Sequence, residues 1–236
     1  MYLFYTADIH EDSAFLDESE SRHCTRVLRM KEGELLDFID GKGSKYKGQL
    51  MKADPKQCNI RILEKEENFE KRSYYLHMAI APTKNNDRFE WFLEKSTEIG
   101  IDMITPLICD HSERKKIRMD RFERIILSAV KQSLKAYLPV LNPLVDFQEF
   151  ISSEHPEEEF YIAHCHEQEK KKLIKEAGGK DSYLLLIGPE GDFSETEIQL
   201  AIKNGFTPIT LGTGRLRTET AGVAGAQIIA DVINLR

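Results

Sequence analysis

Two stretches decide the fold of this chain: Leu186-Ile187-Gly188-Pro189-Glu190-Gly191-Asp192-Phe193-Ser194 and Leu211-Gly212-Thr213-Gly214-Arg215-Leu216-Arg217-Thr218-Glu219-Thr220-Ala221-Gly222. Each stretch begins with the end of an apolar strand and runs through glycines toward a helix. In an α/β protein, ligands bind where backbone amides are exposed after a strand end. Because the two loops follow each other closely along the chain, they predict one shared pocket.

Outward from these loops, strands and helices alternate from Tyr74 onward, which predicts an α/β fold. Continuous apolar runs at 160–163 and 183–187 are typical of parallel strands that are covered on both faces. A capping box at Ser194 and Glu197 predicts the start of a helix. Further strands are expected at 75–81, 103–108 and 208–211, and a long helix at 88–99. The last helix is expected to place its small and apolar residues Ala221, Ala224, Gly225, Ile228 and Val232 on one face.

The first 70 residues have a different pattern of short strands and turns. Strands are expected at 34–40, 45–51 and 58–62, with a glycine turn at Asp40-Gly41-Lys42-Gly43. We interpret this region as a small β-barrel and the charged segment 64–72 as a linker. The sequence therefore predicts two domains, 1–70 and 73–236.

The composition of the chain limits the classes of protein to which it can belong. The chain of 236 residues is 41% hydrophobic and 31% charged, as in ordinary globular proteins. It has no run of ~18 apolar residues that would span a membrane, and from its first residues we expect no signal peptide. Its four cysteines form no C-x-x-C pair, which favours a reducing, cytoplasmic setting. A net charge of −7 argues against indiscriminate coating of nucleic acid but allows local basic patches.

Several kinds of chemistry are excluded by missing motifs. The P-loop pattern and the G-x-S-x-G elbow of hydrolases are both absent. The stretch Gly212-Thr213-Gly214-Arg215-Leu216-Arg217 has arginine where a dinucleotide fingerprint has its third glycine. The cluster His164-Cys165-His166 has no partner pair at ligand spacing, so we predict no metal site. Any single glycine of these loops is explained by a tight turn. The two loops together also contain the charged residues Glu190, Arg217 and Glu219, and this combination favours a ligand site.

The motifs themselves carry a resemblance. Gly188-Pro189-Glu190-Gly191 and Leu216-Arg217-Thr218-Glu219-Thr220-Ala221 resemble those of the RsmE family, the 16S ribosomal RNA (uracil-N3) methyltransferases of the SPOUT superfamily. The likeness extends to segments 22–33, 87–100 and 131–133. It implies a PUA-like N-terminal barrel, a C-terminal α/β domain with a trefoil knot, and a cytoplasmic homodimer. The implied reaction is S-adenosylmethionine-dependent methylation of N3 of a uridine near the decoding site of the small ribosomal subunit.

The resemblance also assigns residues. The cofactor is expected to contact Ile187, Gly188, Pro189, Glu190 and Gly191 in the first loop, and Leu211, Gly212, Leu216, Arg217, Thr218, Thr220 and Ala221 in the second. Three positions depart from the family pattern. Asp192 replaces a glycine, the arginine at 215 is displaced by one position, and Lys135 stands where arginine is common.

Methylation at N3 sets the catalytic requirement. Uracil N3 carries a proton, so the enzyme must supply a base or stabilise the imide anion over O2 and O4. Arg217 is the candidate for stabilising the anion, and Glu219 for positioning that arginine or assisting the proton. The alternative is that these two residues pair only to brace the loop. N3 lies on the Watson–Crick edge, so the uridine must be unpaired or extruded. Phe193 either stacks on it or belongs to the core, which the helix start at Ser194 favours.

Two basic surfaces are expected to contact RNA phosphates. Their main residues are Arg22, Arg26, Arg29 and Lys31 in the first domain, and Arg114, Lys115 and Lys116 in the second. Lys42, Lys45 and Lys47 extend the first surface, and Arg118 and Arg121 extend the second. Two alternatives stay open. One is a SPOUT methyltransferase acting on a ribose 2′-OH or on transfer RNA, and the other is a non-catalytic RNA-binding protein of ribosome assembly.

Overall fold

The computed structural model describes residues 2–236 and divides into two compact units. The first comprises the residues up to Lys71 together with Leu127–Leu138, and the second comprises Arg72–Ile126 and Pro139–Arg236. Among the described residues, no helix is long and apolar enough to cross a bilayer.

The first unit is built on a six-stranded sheet. Its elements are, in chain order, β1 (Leu3–Tyr5), β2 (Asp8–Ile9), β3 (Ser13–Phe15), α1 (Glu18–Arg22), a π-helical turn (His23–Val27), β4 (Leu35–Ile39), β5 (Lys45–Lys52) and β6 (Asn59–Glu66). The strand order is β1-β4-β5-β6-β3-β2. Strands β4, β5 and β6 confirm the three predicted strands. Strand β6 runs on into the segment predicted as a linker, because Lys45 pairs with Glu66 at its far end.

Alternating residues of these strands form the core of the first unit, where Phe4, Phe38 and Leu50 are buried. Residues 127–138 also pack here, although the sequence places them with the C-terminal domain. Val130 and Ala136 are buried against Leu3 and Ile39. The apolar side of this segment therefore completes the core of the first unit.

The second unit is an α/β domain. Its elements are β7 (Tyr75–Ile80), α2 (Asn86–Ile99), β8 (Met103–Ile108), α3 (Met119–Gln132, which continues into the first unit), β9 (Val140–Leu141), β10 (Val145–Asp146), α4 (Phe147–Ser152), β11 (Glu159–Ala163), β12 (Lys171–Lys172), α5 (Leu173–Glu176), β13 (Ser182–Ile187), α6 (Glu195–Lys203), β14 (Thr207–Thr210) and α7 (Thr218–Asn234). The expected strands and helices are confirmed to within a residue or two at their ends. The capping box of α6 is also confirmed, with both Ser194 and Glu197 bonding as predicted.

All strand pairs of this sheet are parallel, in the order β10-β8-β7-β13-β11-β14-β12, with β9 beside β8. The strand order does not follow the chain order. Strand β11 lies between β13 and β14, so the carboxyl ends of these three strands are neighbours. The predicted α/β fold class is confirmed, the N-terminal part predicted as a barrel is a six-stranded sheet, and the trefoil knot stays a prediction.

Helix α7 packs closely through glycines. A Cβ atom on Gly222 would lie 2.6 Å from the ring of Phe92 in α2, and one on Gly225 would lie 2.5 Å from Leu185 in β13. The buried face is Gly222, Gly225, Ala226, Ile229, Ala230 and Ile233. Of the five residues that the sequence places on one face, only Gly225 belongs to this buried face. The other four residues of that prediction, Ala221, Ala224, Ile228 and Val232, are only half-buried.

Candidate functional site

A cavity of about 350 Å³ lies at the carboxyl ends of β13, β11 and β14. Its lining residues are Ala163, His164, Cys165, Ile187, Gly188, Pro189, Glu190, Asp192, Ile209, Thr210, Leu211, Gly214, Arg215, Leu216, Arg217, Thr218 and Ala221. Both glycine loops contribute to this wall, so they share one cavity, as the sequence indicates. Its position is the usual ligand site of a parallel α/β sheet.

Most of the residues expected at the cofactor line this cavity: Ile187, Gly188, Pro189, Glu190, Leu211, Leu216, Arg217, Thr218 and Ala221. Three do not. Gly191 faces His111, whose Cβ would be 2.9 Å from an added Cβ. Gly212 is exposed, and Thr220 lies half-buried within the first turn of α7.

Sequence reasoning missed a third segment of the wall, Ala163–Cys165 at the end of β11. Strand β11 itself is predicted from its apolar run, but its place between β13 and β14 depends on a strand order that no local pattern encodes. Sequence reasoning also missed Asp192, Ile209, Thr210, Gly214 and Arg215, which flank the expected positions. Their proximity along the chain to those positions was the available signal.

Asp192 has a local explanation for its departure from the family pattern. Its φ is 67°, in the left-handed region where glycine is favoured and aspartate is tolerated. Its carboxylate accepts hydrogen bonds from the main-chain N–H of Cys165 at 2.7 Å and from that of Phe193 at 2.9 Å. The side chain therefore ties the first loop to the end of β11, a contact that glycine would not make.

Glu190 anchors the same loop on its other side. Its Oε1 accepts a 2.9 Å hydrogen bond from the main-chain N–H of Lys84. Arg114 in turn donates to the carbonyls of Thr83 (2.9 Å) and Lys84. The guanidinium of Arg114, expected at RNA phosphates, is thus engaged in holding the loop that follows β7.

Arg217 stands at the N-cap position of α7, exposed to solvent and lining the cavity. Within residues 2–236 it forms no ion pair, so its guanidinium donors are available to a ligand. Its neighbour Glu219 is buried and does not line the cavity. The Glu219 carboxylate lies 3.9 Å from Nε of Arg88, and its second oxygen, Oε2, has no hydrogen-bond partner in the described chain. This placement favours a positioning role for Glu219 over direct proton transfer.

Phe193 is fully buried and packs against Phe147 with ring centroids 5.4 Å apart. It therefore belongs to the core, as the capping argument favours. Stacking of this ring on a uracil is excluded by its burial.

The remaining predicted RNA-binding residues are distributed over both units. Lys115 and Lys116 are exposed in the second unit, and Arg22, Arg26, Arg29 and Lys31 are exposed in the first. Arg22 pairs with Glu18 at 2.5 Å, one helical turn earlier. An exposed pair of this kind contributes little to stability, so Arg22 can exchange this partner for a phosphate.

The cluster at 164–166 has no metal-site geometry, and no group of three or more potential metal ligands occurs anywhere in 2–236. His164 is only 6% exposed, and neither of its ring nitrogens has a hydrogen-bond partner in the described structure. Burial, followed by the charge of Lys170, lowers the pKa of His164 and so favours the neutral imidazole.

Comparison with known proteins gives two domain matches: an RNA methyltransferase domain over residues 70–230 and an RNA methyltransferase PUA domain over residues 16–63. Ribosomal RNA small subunit methyltransferase E of Buchnera aphidicola is 28% identical over 216 residues, which are 89% of this chain and 84% of that protein.

Solved structures of similar proteins match this chain over nearly its whole length. A protein described as a probable rRNA-methyltransferase from Porphyromonas gingivalis is 39% identical, with a TM-score of 0.91, and the match covers 100% of this chain and 99% of that one. Ribosomal RNA small subunit methyltransferase E from Neisseria gonorrhoeae, bound to S-adenosyl methionine, is 26% identical, with a TM-score of 0.83 and coverage of 96% and 95%. The resemblance to the RsmE family is confirmed. The chain belongs to the RNA methyltransferase family, with the PUA domain of that family in its N-terminal part.

Proposed function

We propose that this protein methylates N3 of a uridine in 16S ribosomal RNA, near the decoding site, with S-adenosylmethionine as methyl donor. The observation that carries the proposal is the unpaired Arg217 guanidinium at a cavity built from two family motifs. Relatives that carry the name ribosomal RNA small subunit methyltransferase E, one of them with bound S-adenosyl methionine, support it.

The cavity suits such a cofactor. Its volume of about 350 Å³ is within the range of small-ligand sites, roughly 300–1,000 Å³. Ile187, Pro189 and Leu211 supply apolar wall for a planar base, and the loop backbones supply polar groups for its edges. When bound, S-adenosylmethionine supplies a methyl group on a positively charged sulfur, which a nucleophile takes by in-line displacement.

The task of this chain is then to make uracil N3 nucleophilic. Loss of the N3 proton leaves a negative charge shared with O2 and O4, and a fixed cation near these oxygens lowers its energy. Arg217 provides that cation, and the N-terminal end of α7 adds partial positive charge beside it. Glu219 acts as a positioning residue. Its contact with Arg88 links the first turn of α7 to α2, which fixes the backbone from which Arg217 projects.

Three further features belong to the proposal. Lys115 and Lys116, with the exposed cations of the first unit, contact RNA phosphates. The homodimer that the resemblance implies is compatible with the half-buried apolar face of α7. A ribosomal RNA substrate places the protein in the cytoplasm.

A reconstituted reaction tests the proposal. Small ribosomal subunits from cells that lack this enzyme are incubated with purified protein and S-adenosylmethionine, and the RNA is digested to nucleosides for mass spectrometry. We expect N3-methyluridine with the wild type, no product above background with Arg217→Ala, and retained cofactor affinity in that variant. A ribose-methylated nucleoside, or product only in transfer RNA, would favour the other SPOUT activities. Failure of the wild type to bind the cofactor in calorimetry would favour a non-catalytic RNA-binding protein.

A further inference from the structure

Arg215 is a cation of the cavity to which the mechanism assigns no task. It lies in the second glycine loop, lines the cavity and is exposed to solvent. Among residues 2–236, no ion pair or hydrogen bond holds its guanidinium. It is also one of the three departures from the family pattern, so the resemblance assigns it no role. An exposed and unpaired arginine that lines a cavity is available to an anionic ligand.

The carboxylates that line the cavity are engaged elsewhere. Glu190 accepts a hydrogen bond from the main-chain N–H of Lys84 at 2.9 Å. Asp192 accepts hydrogen bonds from two main-chain N–H groups, at 2.7 and 2.9 Å. Neither carboxylate forms an ion pair with Arg215 within the described chain. Arg215 is therefore left available for an anion that a ligand supplies.

The charges of the two proposed substrates indicate which of them supplies that anion. S-adenosylmethionine carries two positive groups, the sulfonium and the ammonium, and one carboxylate. A second arginine beside Arg217 therefore adds positive charge around a cofactor that is itself a cation. RNA instead brings a phosphate with every nucleotide, and a guanidinium binds two phosphate oxygens at once through its parallel N–H donors. These charges favour a phosphate of the RNA as the partner of Arg215.

The loop around Arg215 leaves room for a nucleotide. A Cβ atom built on Gly212 or on Gly214 would meet no neighbouring atom within 4 Å, and all residues of 212–217 are exposed. Arg217 lies two positions further on, at the start of α7, and lines the same cavity. Two residues span at most about 7 Å of extended backbone, so both arginines can contact the same nucleotide.

We propose that Arg215 is a substrate-binding residue that contacts a phosphate adjoining the target uridine while the uracil is held at Arg217. The inference rests on the proposed function, since it takes this uridine as the nucleotide that enters the cavity. The uridine has to leave its stack before N3 can react, and this step costs free energy. A charge-assisted contact to its phosphate offsets part of that cost and keeps N3 in line with the methyl group.

Arg215→Ala, assayed in the reconstituted reaction with small ribosomal subunits, tests this contact. We expect kcat/KM for the RNA to fall about tenfold, because a hydrogen bond to a charged group is lost. In filter binding, the slope of log affinity against log salt concentration should become shallower by about 0.7–0.9, the share of one phosphate. The affinity for S-adenosylmethionine in calorimetry and the melting temperature should both match the wild type, because Arg215 holds neither the cofactor nor the fold.

Two further variants define the role of the guanidinium. Arg215→Lys keeps the charge and loses the forked donors, so it should retain the wild-type salt slope and recover only part of kcat/KM. Lys203→Ala is the matched control, because Lys203 is also an exposed cation of the second unit but does not line the cavity. It should change neither kcat/KM nor the salt slope.

Two results would overturn the inference and leave the proposed function standing, given a wild type that forms N3-methyluridine. One is a salt slope of Arg215→Ala equal to that of the wild type, which would show that no phosphate contact is lost. The other is weaker S-adenosylmethionine binding by this variant, which would assign Arg215 to the carboxylate of the cofactor. A wild type that forms no N3-methyluridine would overturn both the inference and the proposed function.

Discussion

Thr218 donates a hydrogen bond from Oγ1 to the main-chain carbonyl of Gly188, at 3.0 Å, in a buried setting. This bond joins the first residue of α7 to the first residue after β13. The two glycine loops are therefore one structural unit around the cavity. A ligand that contacts one loop depends on the position of the other.

Thr218→Val should separate the loops with little change in volume. The Gly188 carbonyl would be left buried and unpaired, which costs about 1–3 kcal/mol of unfolding free energy. We expect lower stability in urea denaturation and weaker S-adenosylmethionine binding in calorimetry. Thr213→Val, at an exposed position in the same loop, is the control and should change neither quantity. Equal effects of the two substitutions would show that the Thr218 bond does not hold the loops together.

A glycine packed in α7 and the exposed glycines of the second loop should respond differently to substitution by alanine. In Gly222→Ala the new methyl group would lie 2.6 Å from the Phe92 ring and 3.0 Å from Ile80, so overpacking should cost about 1–3 kcal/mol. In Gly212→Ala or Gly214→Ala it would meet no atom within 4 Å, and stability should change by less than about 0.5 kcal/mol. Thermal melts of the three cofactor-free variants measure this difference. Similar melting temperatures for all three would contradict the close packing of α2 and α7.

The sequence predicts the sheet, the cavity loops and most cavity residues for a physical reason. Apolar runs, capping residues and glycine turns act over a few neighbouring positions, so 183–187, Ser194 and Glu197 can be interpreted directly. Strand order is a property of the whole domain, and for this reason the contribution of His164 and Cys165 was missed. The buried face of α7 was not predicted, because glycine has no side chain to show periodicity: Gly222 and Gly225 contact Phe92 and Leu185 only once the helix is docked.

RNA affinity should depend on the exposed lysines of the second basic surface. The double variant Lys115→Glu and Lys116→Glu should bind ribosomal RNA more weakly, and its affinity should fall less steeply with salt, because fewer counterions are released. Filter binding at several salt concentrations gives this slope. The matched control is Lys172→Glu with Lys175→Glu, also exposed and also in the second unit. If the affinity of the double variant fell with salt as steeply as that of the wild type, Lys115 and Lys116 would not contact RNA phosphates.

Stability should depend on pH through His164. Its pKa is lowered by burial, then by Lys170, while Asp192 raises it, His166 lowers it and Glu195 raises it. The unfolded chain, with a histidine pKa near 6.5, therefore takes up a proton that the folded chain resists. The wild type should lose stability relative to His164→Phe as the pH falls from 7.5 through 6.5 to 5.5. Urea denaturation at these three values measures the difference. If the difference in unfolding free energy between the wild type and His164→Phe were the same at all three pH values, a lowered pKa of His164 would be contradicted.

The most direct test of the central claim is nucleoside mass spectrometry of small-subunit RNA from the source organism with the gene deleted. We expect N3-methyluridine to disappear on deletion, to return when the wild-type gene is restored, and not to return with Arg217→Ala expressed at the same level. Persistence of N3-methyluridine in the deletion strain would contradict the assigned reaction. Its full return with Arg217→Ala would contradict the assigned role of that arginine.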